Sequence, residues 1–315
     1  MELSIILPYY NHANKLYRLL RTLPIDKKEV EVIVVNDHSN LNNEIYEKIK
    51  KKYEANNVIF MDNDINKKGA GSAVNKALKH AKGKWITLVG ADDYFLKNNW
   101  TVLSKYFDCD VDTIFFTPIS VEEYTTKLSD RHSSYKKIIY NYKDEQNRIN
   151  ELYLRYGFHS ACSRLIKRKF IEKYNLRFAE THVANDVKFS IRLGHYMKNF
   201  IVTKEVFYCI TKDKGSLTTT VTDENFITRL KINLQKYKFL RKYLSEKELE
   251  LFEPNGIPIL VTAIQTKMKL NTIQTIFALF KKNKINIFKI KRNYINIRKM
   301  IDYVNRLKQI KKFRD

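Results

Sequence analysis

Apolar residues in the first hundred positions follow two alternating spacings. Residues 3–7, 30–35, 58–61 and 85–89 are short, dense apolar runs, and each reads as a strand. Between them, Leu16, Leu19, Leu20 and Leu23, then Ile45, Ile49 and Tyr53, then the stretch 73–81 recur at helical spacing. The order is β-α-β-α-β-α-β. Apolar strands separated by helices belong in a parallel sheet covered on both faces, and ligands of such sheets sit beyond the carboxyl ends of the strands. The polar residues that follow each strand are therefore the candidates for chemistry.

From about residue 103 to 208 the pattern is mixed, with a strand expected at 113–116 and helices near 148–156 and 186–197. Beyond about residue 222 the spacing is helical, with runs at 229–243, 262–280 and 295–310. A boundary near 220–228 divides the chain into residues 1–225, with halves at 1–100 and 101–225, and a helical region at 226–315. With 315 residues the chain is long enough to bury a core without covalent staples. Cys109, Cys162 and Cys209 show no CxxC and no finger-like His spacing, which fits a reducing cytoplasm better than a disulfide framework. The acidic start at Met1 and Glu2 does not read as a signal peptide, and apolar stretches such as 276–280 are far shorter than the ~20 residues of a membrane span.

Charge sharpens this division. Lys and Arg number 58 against 34 Asp and Glu, a formal excess of +24, which suits phosphates, whether in nucleic acid, lipid headgroups or nucleotide diphosphates. Residues 226–315 carry 22 of the basic residues and 6 of the acidic ones, so most of the excess lies in less than a third of the length. Amphipathic basic helices of this kind, with stripes such as Ile276, Leu279 and Phe280, are expected to lie on an anionic membrane surface, on the inner face of the cell membrane. Packing on the protein's own core, or contact in a homo-oligomer, would use the same faces. No nucleic-acid-binding pattern accompanies the charge, so nucleic acid is not an expected partner.

Three strand ends carry polar clusters: Pro8-Tyr9-Tyr10-Asn11, Asn36-Asp37-His38-Ser39 and Gly90-Ala91-Asp92-Asp93-Tyr94. Adjacent carboxylates repel unless a cation lies between them and a ligand, and a divalent metal with a diphosphate meets that need. Any one cluster is equally well a turn or a helix cap. Together with Gly69-Ala70-Gly71-Ser72-Ala73-Val74-Asn75, however, their order and spacing resemble glycosyltransferase family 2, of GT-A fold. The resemblance implies an α/β domain with a mostly parallel central sheet, followed here by the basic helical region. It also implies a nucleotide-sugar donor, most often a uridine diphosphate (UDP) sugar, a Mn²⁺ or Mg²⁺ cofactor, and hexosyl or N-acetylhexosaminyl transfer with inversion to a glycan or lipid-linked acceptor of a bacterial surface polymer.

The same resemblance implies residue roles. Pro8, Tyr10 and Asn11 would line the base and ribose pocket, Asp37 would hold the uracil, and Asp92 with Asp93 would bind the metal, Asp92 also meeting the donor. The family often has an acid where Gly90 stands and an Arg where Val74 stands, so Asn75 or Lys76 would supply the missing contact. Displacement at an anomeric carbon needs a base, and Asp186 in Val183-Ala184-Asn185-Asp186 resembles the family's second signature; its bland alternative is a charge at a helix N-terminus. In the loop after the last core strand, Asp213 falls where a metal-binding His is common, flanked by Lys212 and Lys214 for phosphate. His182 is a lesser candidate for an acceptor contact. The competing functions are a nucleic-acid-binding protein and a nucleotidyltransferase that uses the same acids.

Overall fold

The computed structural model describes residues 1–123, 125, 127–212 and 221–289. The chain divides into two compact units, Met1–Asp213 and Lys214–Asp315. In the first unit the elements run β1 (Leu3–Tyr9), α1 (Ala13–Leu20), β2 (Val30–Asn36), α2 (Asn43–Tyr53), β3 (Val58–Asp62), α3 (Ala70–His80) and β4 (Trp85–Leu88). They continue as β5 (Tyr94–Phe95), α4 (Asn99–Ser104), β6 (Thr113–Phe115), β7 (Ile119–Glu122), α5 (Ser133–Asp144), α6 (Arg148–Gly157) and β8 (Arg164–Lys167). The unit closes with α7 (Arg168–Lys173), α8 (Asn185–Tyr196), β9 (Phe200–Val202) and β10 (Tyr208–Lys212).

Seven strands form one sheet in the order β3-β2-β1-β4-β8-β6-β9. The four sequence-legible strands are parallel, in the register Leu3 to Val30 and Leu3 to Trp85, while β8 runs antiparallel to both of its neighbours. A three-stranded sheet, β5-β10-β7, stands beside the exit of β4. Period-two alternation sorts the strand side chains between two cores. Leu3, Ile5, Leu7, Val30, Val32 and Val34 pack on one face with Leu16, Leu19 and Leu20 of α1. Ile6, Ile33, Val35 and Ile86 pack on the other with α3 and α8. Each fully buried leucine contributes about 1.5–3 kcal/mol by leaving water, so the sheet is held rigid from both sides. Rigidity matters because Tyr10, Asn11, Asp37, Asp92 and Asp93 follow strands β1, β2 and β4 at the sheet's carboxyl edge.

The second unit contains α9 (Asp223–Leu240), α10 (Glu246–Leu249), α11 (Gly256–Gln265) and α12 (Leu270–Lys282). The expected single helix over 262–280 is two, because Lys267 takes a left-handed conformation (φ 51°) and the Met268 N–H turns back to the Ala263 carbonyl at 3.0 Å. That pairing is a helix-ending motif. The apolar stripe expected to meet lipid is also corrected: Ile276 and Phe280 are buried in a core shared with Leu230, Leu234 and Ala263, and Leu279 packs against it. The stripe has a protein partner, so its apolarity no longer argues for a membrane. No helix among the described residues is long and apolar enough to cross one. The expected helix at 295–310 lies outside the described residues.

Candidate active site

The carboxyl ends of β1 and β2 are tied together by one side chain. Asn11, in a left-handed conformation (φ 59°), accepts hydrogen bonds on Oδ1 from the Asn40 and Leu41 N–H groups at 2.8 and 3.1 Å, and its own N–H donates to Ser39 Oγ at 2.9 Å. Tyr10 beside it is exposed, and Pro8 is half-buried at the end of β1. Asp37 is buried and accepts on one oxygen from Asn63 Nδ2 and on the other from the Gly69 N–H, each at 2.7 Å. It thereby anchors the turn into α3. Gly69 has φ +105°, a region that L side chains avoid, so a glycine is required at that turn.

Helix α3 explains the second glycine. A Cβ at Gly71 would lie 2.1 Å from the Ala179 carbonyl oxygen and 3.2 Å from Asn185 Cβ. Asn75 completes the junction by accepting from the Phe178 N–H at 2.9 Å and donating to the Phe178 carbonyl at 3.1 Å. The Ala179 N–H in turn donates to the Asn185 carbonyl at 2.9 Å. Asn75 is thus a tether between α3 and the segment that leads into Asp186. One donor and one acceptor of its amide are thereby used within the protein. Lys76 pairs with Asp64 at 2.8 Å on the outer side of α3, so it too is engaged within the protein.

Asp186 stands in the first turn of α8, after Ala184 in a left-handed conformation (φ 54°). Burial pushes its carboxyl up to about 6, against the pull of its own backbone N–H, the Arg164 guanidinium and the Val187 N–H. Asp186 is therefore a half-buried acid at the helix N-terminus whose carboxyl is harder to ionise than an exposed one. Arg164 was not visible as a candidate in the sequence. It is buried, its guanidinium lies 4.7 Å from the centre of the Phe115 ring and 4.5 Å from that of Phe158, and burial pulls it down to about 9.

The two acids after β4 part company. Asp93 is buried; Tyr208 Oη donates to one of its oxygens and the Thr211 N–H to the other, the latter at 2.8 Å. Burial first, and the neighbouring Asp92 second, push it up to about 7. Asp93 thus braces the loop after β4 against β10, a structural task beside the metal-binding one expected of it. The Asp92 carboxylate accepts no hydrogen bond among the described residues, while its backbone carbonyl accepts from Arg18. Gly90 has a steric reason to lack a side chain, since a Cβ there would lie 2.8 Å from Asp92 Oδ1 and 3.0 Å from Asp93 Oδ2.

Cys162 joins these groups. It bridges to Leu88 at the end of β4, and its thiol is pushed up to about 12 by burial and by the charges of Asp93, Asp186 and Asp92. The charges of the acid pair and of the candidate base are all felt at Cys162. Among the described residues no three His, Cys, Asp or Glu side chains form a metal cage. One open carboxylate is still a fitting donor for a hard cation that takes its other ligands from phosphate and water. Asp213 and Lys214 lie outside the described residues. Lys212 pairs with Asp130 at 3.0 Å and Glu122 at 3.4 Å, which corrects its expected role toward phosphate. His182 is exposed, without a hydrogen bond among the described residues.

A parallel sheet with anchored loops at its carboxyl edge, one open acid after β4 and a desolvated acid across from it, has the layout of a sugar-transferring α/β domain. The profile of "Glycosyl transferase family 2" matches residues 4–175, more than half of the chain, and the protein belongs to that family. A poly(ribitol-phosphate) beta-glucosyltransferase of Bacillus spizizenii is 37% identical over 98 residues, which are 30% of this chain and 15% of the relative. The chain spans 15%, 37% and 19% of the lengths of the first three curated relatives. Among solved structures, S. aureus TarS 1-349 in complex with UDP-GlcNAc superposes with a TM-score of 0.67 at 19% identity, over 90% of this chain and 80% of that one. The mannosyltransferase PcManGT of Pyrobaculum calidifontis, in complex with GDP-Man and Mn²⁺, gives 0.57 at 14% identity over 97% and 85%. These likenesses establish the GT-A fold.

Proposed function

We propose that the protein transfers a hexosyl or N-acetylhexosaminyl group from a UDP-sugar to a hydroxyl of a bacterial surface glycan or lipid-linked acceptor, with inversion at the anomeric carbon. What supports this reading is an open carboxylate after β4, Asp92, together with Asp186 at the N-terminus of α8, whose carboxyl burial raises to about 6. The uridine lies over the loops after β1 and β2, against Pro8, Tyr10 and Asn11. Asp37 keeps a free lone pair on each carboxylate oxygen and can accept the uracil N–H while still holding Gly69.

The acceptor hydroxyl attacks the anomeric carbon from the face opposite the diphosphate, its proton passes to a carboxylate oxygen of Asp186, and the bond to the diphosphate breaks. A base whose value lies near 6 is ionised at neutral pH, yet basic enough to accept that proton as the oxygen becomes acidic. Asp92 would hold a divalent cation, which when bound neutralises charge on the leaving diphosphate. Asp93 supports Asp92 from below through β10. The Asn75 and Gly71 junction keeps Asp186 at its post.

The reaction products test this directly. Incubation with UDP-glucose or UDP-N-acetylglucosamine and a ribitol-phosphate oligomer should release UDP in step with glycan growth. Pyrophosphate released from a nucleoside triphosphate, with no UDP formed from either sugar donor, would favour a nucleotidyltransferase instead.

A further inference from the structure

Arg164 opens β8 with a side chain that is buried, 1% exposed, and poorly provided with partners. Nη2 donates to the Phe158 carbonyl, but Nε and Nη1 are buried with no acceptor among the described residues. The Phe115 and Phe158 ring centres, 4.7 and 4.5 Å away, offset part of this through their π electrons. An apolar side chain of similar volume would commonly serve stability as well as a guanidinium with two unmatched nitrogens. Packing alone gives no reason for a charge at this position.

The backbone ties that charge to the helix of the candidate base. The Phe158 carbonyl holds Arg164, and the next carbonyl, that of His159, accepts from Ser190 Oγ of α8 at 2.5 Å. Ser190 is four residues after Asp186, one turn along the same face. Beyond burial and backbone N–H groups, Arg164 is the side chain that acts on the Asp186 carboxyl, and it favours the charged form. The other groups around α8 do not take its place. Tyr135 of α5 and Cys162 before β8 feel the Asp186 charge, but burial pushes both up to about 12, so they stay neutral while Asp186 titrates. Arg131 donates to the Thr211 carbonyl at 2.6 Å, where its charge is felt by Tyr135 and Asp93. From α6, Arg155 is bonded to Glu151 and to the Gly194 and Met197 carbonyls at the far end of α8. Gly71 and Asn75, which face the junction from α3, do not titrate. Glu180, ahead of α8, is paired with Lys67 at 2.9 Å, and His182 and Lys188 are exposed.

We propose that Arg164 is a positioning residue for the transfer step, a buried cation beside the Asp186 face of α8 that keeps this carboxylate charged and ready to take the acceptor proton. The proposal rests on the reading of Asp186 as the base. A desolvated carboxyl with no cation nearby would hold its proton at neutral pH, whereas one bonded directly to a guanidinium would be too weak a base. Arg164 makes no hydrogen bond or ion pair with Asp186. Its charge therefore ionises the acid without occupying the oxygens that must accept the proton.

Carboxyl-carbon NMR of the full chain, isotopically labelled at aspartate, tests this without any substrate, the Asp186 signal being the one missing from Asp186→Asn. Arg164→Met should raise the titration midpoint of that signal by about one pH unit or more, the size expected when an opposite charge is taken from beside a buried acid. Arg164→Lys, which keeps the charge, should recover most of the parent midpoint. In UDP release from the sugar donor, Arg164→Met should lower the rate about fivefold at pH 6, with the deficit closing as pH rises and UDP affinity kept within about twofold. Should Arg164→Met not fold, Arg164→Gln takes its place in both measurements. An unmoved or lowered midpoint overturns the proposal, as does a rate loss equal at every pH, which marks a purely structural role. Full turnover in Asp186→Asn overturns the base reading instead, whatever the Arg164 variants do.

Discussion

The exit of β4 and the start of α8 each carry candidate acids, and they differ in what surrounds the carboxylates. At β4, two neighbours are split by β10: Asp93 is enclosed and hydrogen-bonded on both oxygens, whereas the Asp92 carboxylate is left open. At α8 a single acid, Asp186, is desolvated but balanced by backbone N–H groups and a buried Arg164. On the proposed reading, three aspartates of identical chemistry serve as a brace, a cation or donor ligand and a base. Environment, more than residue type, assigns the task.

Among substitutions outside the acids themselves, the largest effect on this contrast is expected from Gly71→Ala. The added methyl would sit 2.1 Å from the Ala179 carbonyl, and since both partners are backbone, α3 and the segment entering α8 must separate. A misplacement of about 1 Å at a base costs on the order of a hundredfold in rate, so kcat should fall by that factor with donor affinity nearly intact. A parent-like kcat would mean that the α3 junction does not position Asp186.

Asp93→Ala comes next. It leaves the Tyr208 hydroxyl and the Thr211 N–H without their acceptor in a buried setting, which costs about 2–3 kcal/mol, read as a lower midpoint in denaturant unfolding. A loss of metal affinity with unchanged stability would return Asp93 to the role of ligand.

The smallest effect is on pH. Asp186 must be ionised to accept a proton, so kcat should rise as pH increases through about 6 and level off above it. Stability should move the other way. The folded values of Asp186 and Asp93, about 6 and about 7, exceed the ordinary 3.8, so the folded state retains protons that the unfolded chain has released. Stability is therefore greatest below about pH 4 as far as these two groups are concerned, and their contribution is lost as pH rises to about 7. Parallel thermal-unfolding and rate profiles would check both signs.

Legibility in the sequence followed the length of the elements. The strands β1 to β4 carry apolar runs of four or more residues separated by amphipathic helices, and the sheet they form was readable from spacing alone. β6 falls on the strand read at 113–116, whereas β8 and β9, four and three residues long, are too short to show a period, and β8 opens on Arg164, a charge that reads as surface until the Phe115 and Phe158 rings enclose it. The acids themselves were legible as a motif. Which of Asp92 and Asp93 is open was not, because the residues that decide it, Tyr208 and Thr211, lie more than a hundred positions away. Asn75 misled for a related reason: its partner Phe178 is 103 residues distant. In the helical unit the apolar stripe at Ile276 and Phe280 was plain, but a stripe does not name its partner, and here that partner is α9 rather than lipid.

The central claim is that Asp92 and Asp186 divide binding from chemistry, and one paired measurement tests it: UDP titration in the presence of Mn²⁺ beside UDP release from the sugar donor, for Asp92→Ala and Asp186→Asn. Asp186→Asn should bind UDP within about twofold of the parent while its turnover falls by about a thousandfold, the range for loss of a general base. Asp92→Ala should lose the metal-dependent part of the binding. Full turnover in Asp186→Asn, or parent-like metal-dependent binding in Asp92→Ala, would contradict the account.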